Sequence, residues 1–267
     1  MGGLRPEHFG LEFLDPARNP EFIEGLNAER LRQFQTAKYY QITMFDSLKL
    51  NDLPRRQSGV LRGPSSTRPT LWVVEEDGVR AIVKDYSLNR FLYRNIIGRF
   101  LIWRESKAYR RMRGLEGTAT FYRVIAGLAL VIEEVSGRNM EALEKDERLP
   151  EDFFKELRAL ADKIHRHGLA HCDLKRAPNI LLGNDGKPYV IDWSASISQR
   201  EFRFFPFNRI YRRFILDDLN AIIKLQLKHV PDSIDPEEKR RYYHRSKTEK
   251  LIRTVRDRGR DLLQKIA

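Results

Sequence analysis

Cysteine is nearly absent. The 267-residue chain has one, Cys172, which excludes an intrachain disulfide framework and a cysteine-rich zinc site and fits a reducing cytoplasm. Long apolar runs are missing too: the longest, from Val124 to Ile132, is far short of the roughly 20 residues a membrane-spanning helix needs. The opening MGGLRPEHFGLEF holds no apolar stretch of the secretory kind, so the expectation is a cytoplasmic protein. Acidic charge is in the minority, with 37 Asp and Glu against 49 Lys and Arg and a formal net charge of +12. That excess directs attention to anionic partners: nucleic acid, an anionic membrane face or a phosphorylated ligand. What is present is enough for a packed core, since 41% of residues are hydrophobic and 10% aromatic. The length suits one large domain or two smaller lobes.

Residues 1–53 read as an extension packed on the main body, with a helix-like segment from Ala28 to Phe45 before the polar punctuation of NDLPRRQSG. From Val60 the pattern turns to strands. TLWVVEE is rich in branched and aromatic residues, Asp77-Gly78 is a turn dipeptide, and VRAIVKDY alternates again, which predicts a hairpin. Arg94 to Arg113 has helical periodicity, with Ile97, Leu101, Ala108 and Met112 available for one face. A strand pair, TFYRVIAG and LALVIEEV, follows. Glu151 to His167 predicts a helix with Phe154, Leu157, Leu160, Ala161 and Ile164 on one face, stopped by Gly168. Short strands around NILLG and YVIDW flank the turn from Asn184 to Lys187, and the chain is basic and helical from about Phe207.

Chemistry concentrates in HGLAHCDLKRAPNILLGNDGKPYVIDWS, residues 167–194. With His171, Cys172, Asp173, Leu174 and Lys175, then Asn179, then Asp192 about a hairpin later, this segment resembles the catalytic and metal-binding loops of the protein-kinase-like superfamily. The resemblance implies ATP- and Mg²⁺-dependent phosphoryl transfer. Asp173 would orient the acceptor hydroxyl and take its proton, and Lys175 would offset charge at the γ-phosphate. Asn179 and Asp192 would supply hard oxygen ligands to Mg²⁺. It also implies partners upstream. Lys84 in AIVKDY matches the strand lysine that holds the α- and β-phosphates. Glu105 in WRESKAYRRM matches the helix acid that pairs with it. Glu133 and Val135, in EEVSG, stand where the linker between lobes meets adenine. His171 reads as a brace for the loop rather than a proton carrier. Either Asp217 or Asp218 matches an acid that fixes the loop backbone.

Three positions depart from that pattern. No G-x-G-x-x-G precedes Lys84, and the lid falls to the segment from Gly59 to Ser66. Asn179 stands six residues after Asp173 rather than five, and Asp192-Trp193-Ser194 replaces Asp-Phe-Gly. Cys172 replaces the arginine with which many protein kinases grip a phosphorylated activation segment, so control by that route is not expected.

Within the superfamily, VKDY, RNIIGRFLIWRESKAYRRM and FNRIYRRFILDDLNAIIKL are similar to the bacterial lipopolysaccharide-core kinases, the Kdo and heptose kinase group, with RIO-type kinases more distant. The fold implied is a two-lobed α+β kinase-like fold, with a small β-rich lobe over residues 54–132 and a larger helical lobe with a basic tail over 133–267.

Residues 90–113 hold eight Lys or Arg against one acid, and 239–260 ten against two. Such clusters bind anionic lipid head groups at about 1 kcal/mol per basic residue, or else are solvated helix faces. REFRFFPFNRIYRRF, residues 200–214, interleaves five arginines with six aromatics. Phe204, Phe205, Phe207, Tyr211 and Phe214 read mainly as core anchors, with the arginines available to an acceptor. No base-reading or stacking motif accompanies the charge, so nucleic acid is not expected. The leading expectation is a kinase acting on a sugar hydroxyl of the lipopolysaccharide inner core or a related anionic envelope glycolipid, peripheral to the cytoplasmic membrane face. The rivals are a serine/threonine protein kinase and a pseudokinase that binds a partner without catalysis.

Overall fold

A computed structural model describes residues 44–143 and 147–243. The Ala28–Phe45 helical reading and the basic tail beyond Tyr243 lie almost wholly outside these residues. The chain divides into two units, residues 1–44 and 45–267.

The first part of the second unit is a five-stranded antiparallel sheet of order β1-β2-β3-β5-β4. The strands are β1 (Gln57–Arg62), β2 (Thr70–Glu76), β3 (Val79–Asp85), β4 (Phe121–Ile125) and β5 (Ala129–Glu133). The β2–β3 hairpin turns on Asp77 and Gly78 at φ 49° and 77°, the positive values that a two-residue turn demands and that this dipeptide supplies. On β3, Ala81, Val83 and Asp85 are buried while Arg80 is exposed. This alternation fixes the register that sets Lys84 opposite Leu71 on one side and Leu130 on the other.

The compact unit that holds the sheet begins at Phe45. Phe45, Leu48 and Leu53 are fully buried, the Phe45 ring lies 5.0 Å from Tyr122, and Arg123 Nη1 donates to the Phe45 carbonyl at 3.0 Å. Three apolar side chains in a segment dominated by polar punctuation are enough to seat it against β4.

The predicted helix from Arg94 is a composite. A single turn, Phe91–Tyr93, leads into a π-helical segment, Arg94–Gly98, and then α1, Arg99–Arg111. A Cβ at Gly98 would fall 2.8 Å from the Tyr86 Cβ, so a glycine is required for the helix to approach the end of β3 this closely. The wider turn shifts the phase of the helix. Ile102, Glu105, Ala108, Tyr109 and Met112 are buried, while Leu101 and Ile97 are only partly so.

The second part packs around α2 (Glu151–Arg166) and α3 (Phe207–His229), followed by α4 (Pro236–Tyr243). Helix α2 buries the predicted Phe154, Leu157, Leu160, Ala161 and Ile164 and adds Phe153. A small antiparallel sheet, β6 (Gly137–Asn139), β8 (Ile180–Gly183) and β9 (Pro188–Val190), and a two-stranded pair, β7 (Leu169–Ala170) with β10 (Ile197–Ser198), carry the loops at the site. One hydrophobic core runs through both parts, from Tyr86 and Leu130 to Trp193 and Ile222. No helix among the described residues is long and apolar enough to cross a membrane.

Candidate active site

Lys84 stands at the centre. Its Nζ donates to Glu105 Oε1 at 2.6 Å and to Asp192 Oδ1 at 3.0 Å, so one ammonium ties β3, α1 and the loop after β9 together. The alternation of β3 sets Lys84 on the face opposite Ala81, Val83 and Asp85, toward α1, and the phase of α1 buries Glu105 to 3% side-chain exposure. Burial opposes the Lys84 charge, but Asp192 and then Glu105 outweigh it and hold the ammonium well above its ordinary pKa. Lys84 in turn drives Asp192 far below the usual carboxylate range, against the effect of burial. Burial raises Glu105, with Lys84 opposing. Lys84 and Asp192 are therefore both charged at neutral pH.

Asp192 adopts a left-handed conformation at φ 65°. Ser194, in the place of the expected glycine, donates from Oγ to Asp192 Oδ1 at 2.9 Å. Both of these side-chain bonds fall on Oδ1, which leaves Oδ2 for a cation. Trp193 is fully buried, its ring 4.7 Å from the His171 ring.

The loop that carries Asp173 is braced by Asp218 and by His171. Asp218, itself buried, accepts the backbone N–H of His171 at 2.7 Å and of Cys172 at 2.9 Å, and its Oδ2 lies 3.2 Å from His165 Nε2. Asp217 instead pairs with Arg213 at 2.9 Å. Helical phase thus resolves the alternative the sequence leaves open: of two adjacent carboxylates on α3, only the second faces the loop. His171 Nε2 lies 2.9 Å from the Ile191 carbonyl and Nδ1 is 3.3 Å from the Asp173 N–H, a bracing role. Cys172 adopts φ 67°. Burial and then the Asp218 charge raise its pKa well above the ordinary thiol value.

Asp173 is partly buried, and Arg176 Nη1 lies 3.7 Å from its Oδ2. Burial raises its pKa, and Arg176, His171 and Lys175 pull against that rise. Lys175 is exposed and contributes to the field at Asp173. The extra loop residue is absorbed in a short 3₁₀ turn, Ala177–Asn179. Asn179 Nδ2 still reaches the Asp173 carbonyl at 3.0 Å. With the amide nitrogen so engaged, the oxygen is the atom left for a metal. Asn179 and Asp192 therefore present hard oxygen donors of the kind Mg²⁺ takes.

Glu133 ends β5. Its N–H donates to the Thr120 carbonyl and its carboxylate accepts the Thr120 N–H, each at 2.8 Å. Val135 lies between β5 and β6, and its backbone N–H and C=O make no hydrogen bond among the described residues. Two groups the sequence reading missed hold the turn after β1. Asn89 Nδ2 binds the Ser65 and Arg68 carbonyls at 2.7 and 3.0 Å, and Tyr93 Oη donates to the Thr67 carbonyl at 2.7 Å. The N–H groups of Ser65, Ser66 and Thr67 make no hydrogen bond among the described residues. A turn whose carbonyls are held and whose N–H groups are unused suits an anion without any glycine repeat. No local signal marks Asn89 or Tyr93, because their partners lie more than twenty residues upstream.

The arginine and aromatic segment departs from expectation. Tyr211 is buried, but Phe204, Phe205 and Phe207 are exposed, at 70%, 69% and 53%. Arg203 stacks on Phe204 and Arg209 on Phe205, with the cations 4.9 and 5.0 Å from the ring centres. They are a surface, not core anchors.

A five-stranded antiparallel sheet joined to a helical part, with a strand lysine paired to a helix acid at their junction, is the fold of the protein-kinase-like superfamily. A family model for the RIO domain matches residues 93–238, more than half of the chain, and the chain belongs to that family. The RIO resemblance, which the sequence reading ranked second, is thus the one shown. Among solved structures the chain is similar to the Rio2 kinase of Chaetomium thermophilum in its ADP/Mg²⁺-phosphoaspartate complex, at 17% identity and a TM-score of 0.50, covering 72% of this chain and 63% of that one. A second structure of that kinase matches at 16% identity and a TM-score of 0.49, covering 72% and 65%. The chain thus spans less than two thirds of the length of the structures it matches. No curated protein matches the sequence.

Proposed function

We propose that this protein is an ATP- and Mg²⁺-dependent phosphotransferase of the RIO protein-kinase type, acting on a serine or threonine hydroxyl. The observation that carries the reading is the Lys84 ammonium bonded at once to Glu105 and Asp192. Glu105 holds Lys84 in place for the α- and β-phosphates. The unused N–H groups of residues 65–67 cover the remaining phosphate oxygens, and the free backbone of Val135 meets adenine. Asp192 and Asn179 would hold Mg²⁺, which would supply neutralisation of phosphate charge when bound. Asp173 orients the acceptor hydroxyl and takes its proton, and Lys175 offsets charge near the γ-phosphate. Membership of the RIO family and the likeness to a structure named as an ADP/Mg²⁺ complex support the nucleotide and the metal.

A second reading keeps the chemistry and changes the acceptor to a sugar hydroxyl on an anionic envelope glycolipid of the lipopolysaccharide inner core, met at the cytoplasmic membrane face. It is favoured by the exposed Phe204, Phe205 and Phe207 beside Arg203 and Arg209, since lipid-linked anions combine apolar and charged demands. Transfer from labelled ATP to a generic protein substrate, to inner-core glycolipid and to no acceptor separates the two. Labelled protein is expected, labelled glycolipid alone would move the assignment to the second reading, and no transfer with no ATP-dependent thermal shift would leave a non-catalytic binding module.

A further inference from the structure

A pocket of about 270 Å³ opens between α1 and the β7–β10 strand pair, and its lining includes Arg104, Lys107, Arg110, Arg111, Arg200 and Glu201. Five cations meet one carboxylate there, and that carboxylate is already used: Glu201 Oε1 lies 3.0 Å from Lys107 Nζ. The four guanidinium groups form no ion pair within the described residues. Like charges gathered in so small a space lie well inside the Debye length of about 8 Å at physiological salt, so solvent ions do not remove their repulsion.

Two of the arginines are held in position by neutral oxygens. Arg104 Nε donates to the Ser196 carbonyl at 2.6 Å, and Arg111 Nη1 donates to Ser198 Oγ and reaches the Gly168 carbonyl at 3.4 Å. These bonds fix each guanidinium while leaving its other N–H groups unpaired. Arg110 and Arg200 stand at the exposed edge of the pocket, and neither side chain makes a hydrogen bond. Ala108, Leu169 and Ile197 supply the apolar lining. The helical spacing explains why α1 contributes so much: residues 104, 107, 108 and 111 recur at intervals of three and four and share a face.

We propose that this pocket is a binding site for a phosphate monoester dianion. Preset guanidinium forks around a space at the small end of ligand pockets match a group with several charged oxygens on one centre better than a planar carboxylate, which one fork satisfies. The bound dianion bridges α1, which carries Glu105, and the segment leaving Asp192. The site is separate from the nucleotide cleft proposed above, and its test needs no nucleotide.

Isothermal titration calorimetry of the full chain without ATP, using inorganic phosphate, glycerol phosphate and chloride as probes, reads the site directly. Phosphate or its ester is expected to bind and chloride not to, with preference for the ester identifying an esterified source over the free anion. Arg110→Gln combined with Arg200→Gln, at two exposed side chains, is expected to weaken binding about tenfold or more. Glu201→Gln removes the pocket's one carboxylate and releases Lys107, so it is expected to tighten binding about threefold. Phosphate binding unchanged by both variants, or no heat beyond that of chloride, would overturn the proposal. The opposite responses of the two variants keep a folding defect from imitating the result.

Discussion

Asp218 accepts the backbone N–H groups of His171 and Cys172 with its two carboxylate oxygens, so a helix position more than forty residues downstream sets the conformation of the loop that presents Asp173. Asp218→Asn keeps the shape but turns an N–H donor toward one of those amides. We expect a loss of about 1–3 kcal/mol in unfolding free energy, read by urea denaturation, and a larger proportional fall in phosphoryl transfer. Asp217→Asn, which weakens the pairing with Arg213, should change stability by less than about 1 kcal/mol.

Lys84→Met removes the charge that both Glu105 and Asp192 contact. Two carboxylates then face each other without a cation, and ATP loses its clamp. Turnover should fall by about a hundredfold or more, equal to about 2.7 kcal/mol of barrier, and ATP-dependent thermal stabilisation should fall with it. Asp173→Asn, by contrast, should lose transfer while keeping that thermal shift. A fully active Asp173→Asn protein would move the base assignment elsewhere.

The acid limb of the rate profile should report Asp173. Burial raises its pKa above the ordinary aspartate value of 3.8, and Arg176 is the foremost group opposing that rise. The carboxylate must be ionised to accept a proton, so activity is lost as pH falls through this raised value. Arg176→Gln removes a lowering influence. The pKa then climbs, and the acid limb of kcat/KM moves to higher pH. A limb that stays put or moves down would show that another group governs it.

Cys172 should be a poor nucleophile despite its place beside Asp173. Its pKa is pushed well above the ordinary value by burial and by the Asp218 charge, and the thiolate is the reactive form. Alkylation by iodoacetamide at neutral pH should be at least about tenfold slower in the folded protein than in urea. Parity between the two would contradict the burial seen here.

Elements whose sequence carries its own geometry were legible: the Asp77-Gly78 hairpin, the α2 face from Phe154 to Ile164, and the pairing of Lys84 with Glu105. Each depends on short spacing or on a motif. Features decided by distant partners were not. The choice between Asp217 and Asp218 hangs on the phase of α3 against the loop, about 100° per residue, which periodicity alone does not fix. Phe204, Phe205 and Phe207 have core composition but lie on the surface, where arginines rather than aliphatic side chains stack on Phe204 and Phe205. The π-helical segment Arg94–Gly98 shifted which apolar residues of α1 face inward. At its end Gly98 lies close against Tyr86, a tertiary contact that periodicity does not reveal.

Trp193 replaces the more usual phenylalanine beneath the catalytic loop, and this gives the protein an optical reporter of its own. Of the three tryptophans, Trp72 and Trp193 are shielded and Trp103 is 54% exposed. Iodide or acrylamide can silence Trp103 and leave the emission of the two shielded indoles, of which only Trp193 touches His171. Any rearrangement of the loop around Asp173 therefore changes the ring set edge-on against that indole, and an unlabelled protein can be followed by its own fluorescence as ATP is added.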